Sequence, residues 1–221
     1  MLSILNLLGF IAVVVVNALA NILPIGGQGT GAVSDSYPNL FVPAGFTFSI
    51  WGVIYLLLLG YVLYELGAFR SEREQLPSGT LTRTALLFAF SSFANAAWLF
   101  SWHYRQLGLS LVLMLTILVA LILINVDLAR HRTSKREKLF VRLPFSVYFG
   151  WISVATIANV TTLLVDLDWN GFGIAPSIWT VIVLAVGTVI GIATLRRHRD
   201  VAYGLVFLWA YFGIWFKHTS Y

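Results

Sequence analysis

Apolar runs close to the ~20 residues that a helix needs to cross a bilayer core occupy most of this 221-residue chain. They fall near 2–23, 44–66, 82–103, 107–129, 143–165, 177–195 and 201–217. Inside hydrocarbon each backbone N–H and C=O must be satisfied within the protein, so such runs read as spanning helices and exclude an open sheet. Breaks at Pro24 to Gly29, Arg70 to Gly79, Arg130 to Lys138, Asp166 to Pro176 and Arg196 to Asp200 separate them. None of these breaks is long enough to fold as a soluble domain. The expected fold is all-α: a polytopic membrane helix bundle of seven spans.

The distribution of Lys and Arg tests that count. With seven spans, the loops holding Arg70, Arg73 and Arg83, then Arg130 to Arg142, then Arg196, Arg197 and Arg199 all lie on one side. Only Arg105 and Lys217 lie on the other. Positive charge collects on the cytoplasmic side, so the N-terminus is expected inside and the C-terminus outside. The net charge of +5 therefore belongs to a membrane surface, and no nucleic-acid partner is expected. Ala18-Leu19-Ala20 has the look of a signal-peptide cleavage site. The positive segment that precedes such a site is missing, so the first run is expected to be a retained helix.

Polar and indole side chains recur inside the spans. At about 1.5 Å per helical residue, Asn17, Trp51, Asn95 and Asn159 lie roughly 9–12 Å below the outer boundary, each on a different helix. Asn17 and Asn21 share one face, and Asn6 continues it. Trp98 is one turn from Asn95, and Trp151, Ala155 and Asn159 follow at i, i+4 and i+8. A lone Asn in a membrane helix commonly ties helices together at about 0.6–2 kcal/mol per bond. Three Asn and Trp51 at one depth, with further Trp neighbours, point instead to an inward-facing pocket. Trp102, Trp169, Trp209 and Trp215, near span ends, are expected to be interfacial anchors.

Other chemistry is thinly represented. The chain has no Cys, which excludes disulfides and thiolate sites. No carboxylate lies mid-span, which argues against a proton-coupled pump. His103, beside Tyr104 and Arg105, has the residue types for an axial haem ligand with a propionate partner, but a solvated interfacial histidine is the simpler reading. No metal site and no catalytic triad is evident. A mid-membrane Lys for a retinal Schiff base is missing, and the expected orientation is opposite to that of the retinal proteins. Gly187-x-x-x-Gly191 permits close helix approach: packing on the last helix is the first expectation and a homodimer the alternative.

These residues together resemble the translocator protein family, the tryptophan-rich sensory proteins (TspO/MBR). Trp51-Gly52-x-x-Tyr55 is similar to the family's second-helix Trp-x-x-Leu-Tyr. Asn95-x-x-Trp98 and Tyr148-x-x-Trp151-x-x-x-Ala155-Thr156-x-x-Asn159 are similar to its third- and fifth-helix motifs. The resemblance covers about residues 1–165 and implies a five-helix core there, with 166–221 adding two transmembrane helices. It implies a pocket for porphyrin, haem or another flat apolar ligand, closed by the loop at 24–43 with Tyr37, Pro38, Phe41 and Pro43. Carried over by position, Trp51, Tyr55, Asn95, Trp98, Tyr148, Trp151, Ala155 and Asn159 would line or border it, and Asn17 and Asn21 would join them from the first helix. The chain departs from the family at Val42 and Val147, where prolines are usual. Residues 160–168 lack the Tyr and Lys/Arg of the family's sterol motif.

The expected function is binding, and with it transport or sensing, of a flat hydrophobic molecule in a multi-pass protein of the plasma membrane. No cofactor is required, and membrane lipid and the ligand are the expected partners. A light-dependent porphyrin-degrading enzyme and a membrane scaffold are the alternatives.

Overall fold

The computed structural model describes residues 2–22, 25–70 and 75–220. Leu23 and Pro24, which entered the first span and its turn, and Arg73, which entered the charge count, lie outside these residues. All regular elements described are helical: α1 Leu2–Ile22, α2 Thr30–Asp35, α3 Ile50–Glu65, α4 Ser78–His103, α5 Leu107–Ala129, α6 Lys135–Glu137, α7 Leu143–Asp166, α8 Pro176–His198 and α9 Val201–Ser220.

Prolines mark where helices begin. Pro77 precedes α4, and Pro144 and Pro176 sit in the first turns of α7 and α8. At Pro176 a proline forfeits only an N–H that has no intrahelical partner. The segment entering α7 is longer than hydropathy suggests. Ser134 caps α6 in a reciprocal box with Glu137, and a π-helical turn, Lys138–Arg142, joins α6 to α7. Pro144 cannot donate to the Phe140 carbonyl and its ring crowds that group, so a widened turn immediately upstream relieves the mismatch. Arg199, left-handed at φ 49°, ends α8, and the Asp200 carboxylate accepts from Tyr203 N (3.3 Å) to start α9.

α1, α4, α5, α7 and α3 close a five-helix ring: α4 packs between α1 and α5, α7 follows α5, and α3 bridges α7 and α1. α9 lies along the outside of α7, and α8 leans on α9 more than on α7. The two ends of the bundle alternate as an up-and-down topology requires. At one end Ser3 donates to the Glu65 carbonyl, Arg83 pairs with Asp127 (3.5 Å), and Arg142 donates to the His198 carbonyl. At the other, His103 meets Ile25, Trp102 meets Thr30, and Lys217 meets Asp35. The described residues of the basic loops share the first end.

Among the described residues, six helices are long and apolar enough to cross a membrane. The seventh expected span, α9, is a 20-residue helix whose Trp, Tyr, Lys217 and His218 dilute its hydropathy. It nonetheless runs the depth of the bundle. Ser146 donates to Asp200 at its start, and Lys217 pairs with Asp35 at its end. Two further bonds fasten its outer half to the first loop: Ala44 N donates to the Gly213 carbonyl (3.0 Å), and Trp209 Nε1 to that of Thr47 (2.9 Å). Gly187 and Gly191 are the buried residues of α8 and receive Tyr211 and Phe207 of α9, so this pair of glycines serves packing within the chain.

Candidate functional site

Trp51 is the hub of an aromatic nest in the ring's outer half. Its ring centroid lies 5.5 Å from Tyr55, 6.0 Å from Tyr148, 6.3 Å from Trp151 and 6.5 Å from Trp98. Trp98 stacks in turn on Trp102 at 5.8 Å, and Phe48 of the loop meets Trp151 edge-on at 6.0 Å. Such centroid spacings are direct contacts between rings. Trp51, Trp98, Tyr148 and Trp151 are all buried. The nest is packed by its own side chains, each ring in contact with the next.

The amides sit in the same region. Asn95 Nδ2 donates to the Tyr148 hydroxyl at 2.7 Å, tying α4 to α7. Asn159 Nδ2 donates to Ser110 Oγ at 2.8 Å, tying α7 to α5. Each uses only its donor end. Asn95 Oδ1, Asn159 Oδ1, the Tyr55 hydroxyl and the indole N–H groups of Trp98 and Trp151 are buried without a hydrogen-bond partner. Ala155, half-buried, continues the Trp151 face. Asn17 and Asn21 stand apart: Asn21 is exposed and donates to the Asn17 carbonyl at 2.9 Å, a contact within α1. Asn6, further along the same helix, is fully buried. It is a candidate that the depth comparison passed over, because it lies in the other half of the span.

Three sequence expectations need correction. Trp102 is no interfacial anchor: it is buried and donates to the Thr30 carbonyl at 3.2 Å. Trp209, likewise taken as an anchor, is spent on Thr47, whereas Trp215 is 59% exposed. His103 is neither solvated nor free for iron. Its Nδ1 lies 2.8 Å from the Ile25 carbonyl and its Nε2 3.1 Å from the Thr30 hydroxyl. A carbonyl only accepts, so Nδ1 carries the proton and Nε2 accepts from Thr30. The imidazole is thus a strut that pins the start of the first loop onto α4.

Open space lies on the other face of α7. A laterally open cavity of about 1400 Å³ is bordered by the first loop (Tyr37, Pro38, Phe41), by Ile157, Val160 and Leu164 of α7, and by Trp179, Ile182 and Val183 of α8. Trp169, expected to be an interfacial anchor, also lines it. None of the ten residues expected to hold ligand does. The loop is a roof as expected, but over a different room. The helical period explains the separation: Trp151, Ala155 and Asn159 share one face of α7, and 157, 160 and 164 the opposite one.

A family model described as TSPO-like protein matches residues 3–221. The matched stretch includes α8 and α9 as well as the five-helix ring, and so runs beyond the motif resemblance. No curated protein and no solved structure gives a match.

Proposed function

The chain belongs to the TSPO-like protein family, and on that footing we propose that it binds a flat, apolar ligand of the porphyrin class at the aromatic nest around Trp51. It is a multi-pass integral membrane protein. The plasma membrane, with the first loop facing outward, is the location that fits its charge asymmetry.

The observation that carries this reading is the set of buried polar atoms left unpaired around the rings: Tyr55 Oη, Asn95 Oδ1, Trp98 Nε1 and Trp151 Nε1. Each such atom costs about 1–3 kcal/mol while it lacks a partner. An accumulation of them beside four packed aromatic rings suits a guest with a large π-face and a polar edge. The rings would stack on the macrocycle, and the N–H groups would meet its acidic substituents. Entry requires Trp51 to turn out of the nest and Phe48 to withdraw from Trp151. Both residues sit at the junction of the first loop with α3, which makes that loop the lid.

Titration of protoporphyrin IX into the protein in nanodiscs, followed by its visible absorption band, tests this. Trp151→Phe keeps the ring and removes the N–H; Asn95→Leu removes the amide. Each is expected to weaken binding about tenfold, the worth of one hydrogen bond of about 1.4 kcal/mol. Unchanged affinity in both would overturn the site. Unchanged affinity in both, together with loss in Ile157→Trp, would place the macrocycle in the cavity beyond α7 instead.

A further inference from the structure

The cavity between α7, α8 and the first loop has features that a flat aromatic ligand does not need. We propose that it is a separate binding site for a single zwitterionic phospholipid, with acyl chains between α7 and α8 and the headgroup at the Asp35–Lys217 pair. This site shares no lining residue with the aromatic nest and does not depend on it.

Size comes first. Pockets for drug-sized molecules measure about 300–1,000 Å³, and this cavity, at about 1400 Å³, exceeds them. Its depth offers nothing to a polar guest. Ile157, Val160, Leu164, Ile182, Val183 and Val186 supply apolar surface. The hydroxyls of Thr156, Thr161 and Thr180 already donate to carbonyls of their own helices. An occupant must therefore be apolar along most of its length.

The room is built and not merely left over. Tyr211 donates to the Leu184 carbonyl at 2.9 Å, and Gly191 seats Phe207, so α8 is pinned to α9 and held away from α7. At the loop end Trp179 Nε1 donates to the Gly171 carbonyl at 2.9 Å, and Trp169 packs on Trp179 at 5.1 Å. These contacts fix the start and the middle of α8. Ile182 and Val186, which line the cavity, stay 39% and 50% exposed because no described helix covers them. The hydrocarbon of a bilayer is the medium next to such a face, and lipid chains can enter from it.

Charge at the mouth selects the head. Lys217 is the cation among the lining residues and lies against Asp35, with Asn39 and Asn170 nearby on the rim. The Lys217 and Asp35 side chains are 29% and 52% exposed, a setting that suits a headgroup at the membrane surface. A purely anionic head would meet Lys217 only by facing Asp35 as well, and a like charge at contact distance opposes it. A head with a phosphate and a quaternary ammonium matches both partners, phosphate to Lys217 by charge-assisted hydrogen bonds and ammonium to Asp35 by charge alone.

The test uses nanodiscs with equal amounts of phosphocholine lipid, phosphoglycerol lipid and diacylglycerol of the same chains. Lipid retained per protein is counted by native mass spectrometry. One phosphocholine lipid per chain is expected. Ile157→Trp with Val183→Trp, which fills the room, is expected to cut retention about fivefold or more without altering protoporphyrin affinity. Asp35→Ala with Lys217→Ala should keep a lipid but lose the head preference; the exchange Asp35→Lys with Lys217→Asp should restore it. A phosphocholine lipid with a photoreactive chain, crosslinked to the unaltered protein, should label residues 157–165 and 176–186. No retained lipid, retention indifferent to filling, a preference for phosphoglycerol lipid, or crosslinks confined to other segments would overturn the proposal.

Discussion

Gly213→Val is expected to detach the outer half of α9 from the first loop and to lower the stability of the bundle by about 2–4 kcal/mol. A Cβ at position 213 would run into Thr47 Oγ1 and lie 2.8 and 2.9 Å from Thr47 Cγ2 and Cβ. Thr47 is fully buried and cannot step aside. The collision falls between the two bonds that fasten α9 to the loop, Ala44 N to the Gly213 carbonyl and Trp209 Nε1 to the Thr47 carbonyl. Both lengthen if the helix is pushed away. The outcome is read as a lower melting temperature in detergent and faster hydrogen exchange at the Ala44 amide. Gly108→Ala is the control, since a Cβ there meets nothing within 4 Å. Exchange at Ala44 that stays slow in Gly213→Val would show that α9 is not seated where the structure puts it.

Glu137→Ala should be nearly as damaging, at about 3 kcal/mol. The Glu137 side chain is fully buried at the basic end of the bundle. Its Oε1 accepts from Gln75 N at 2.9 Å and Leu76 N at 2.7 Å, and its Oε2 from Ser134 N at 2.6 Å. One carboxylate therefore holds the approach to α4 against the start of the α6–α7 segment. Alanine leaves these backbone donors without their acceptor, and Leu76 is buried. Glutamine keeps one oxygen and turns an NH₂ toward a donor, so Glu137→Gln should fall between alanine and the unaltered chain. Protection of the Leu76 amide in exchange experiments reports the contact directly; equal protection in all three proteins would refute it.

These two residues mark the limit of what could be read from the chain. Glu137 is the lone carboxylate of a basic loop and stands at capping-box spacing from Ser134, but nothing local announces that it would also hold Gln75 and Leu76. Its partners are 61 and 62 residues away in sequence. Gly213 belongs to no Gly-x-x-x-Gly pair, and nothing nearby announces that Thr47 would need its space. His103 misled in the same way: Thr30 and Ile25, which occupy its two nitrogens, are more than 70 residues upstream.

The spans were legible because membrane crossing is a local property. It needs a run of apolar residues of sufficient length, and composition within one segment decides it. Even there α9 shows the limit of hydropathy, since packing against α7 and the loop carries a helix that its own side chains describe weakly. The meeting of Trp51, Asn95, Trp98 and Trp151 was legible through helical period and depth, which fix the face and level of a side chain before its neighbours are known; Tyr148 entered only through the family resemblance. Whether the rings would enclose space or fill it was not, because that depends on rotamers and helix separations set by the whole ring of helices.

The amino-acid sequence by itself determined the number of long helices, their alternating direction, the face on which the indoles and amides gather, and the family to which the motifs belong. Only the tertiary structure decided that this gathering is closed, and that the open chamber lies across α7 beneath the same loop. The reason is that a cavity is a property of distances between helices. Here it exists because Gly187 and Gly191 let α8 lean on α9, and no pattern within α7 or α8 alone encodes the gap that results.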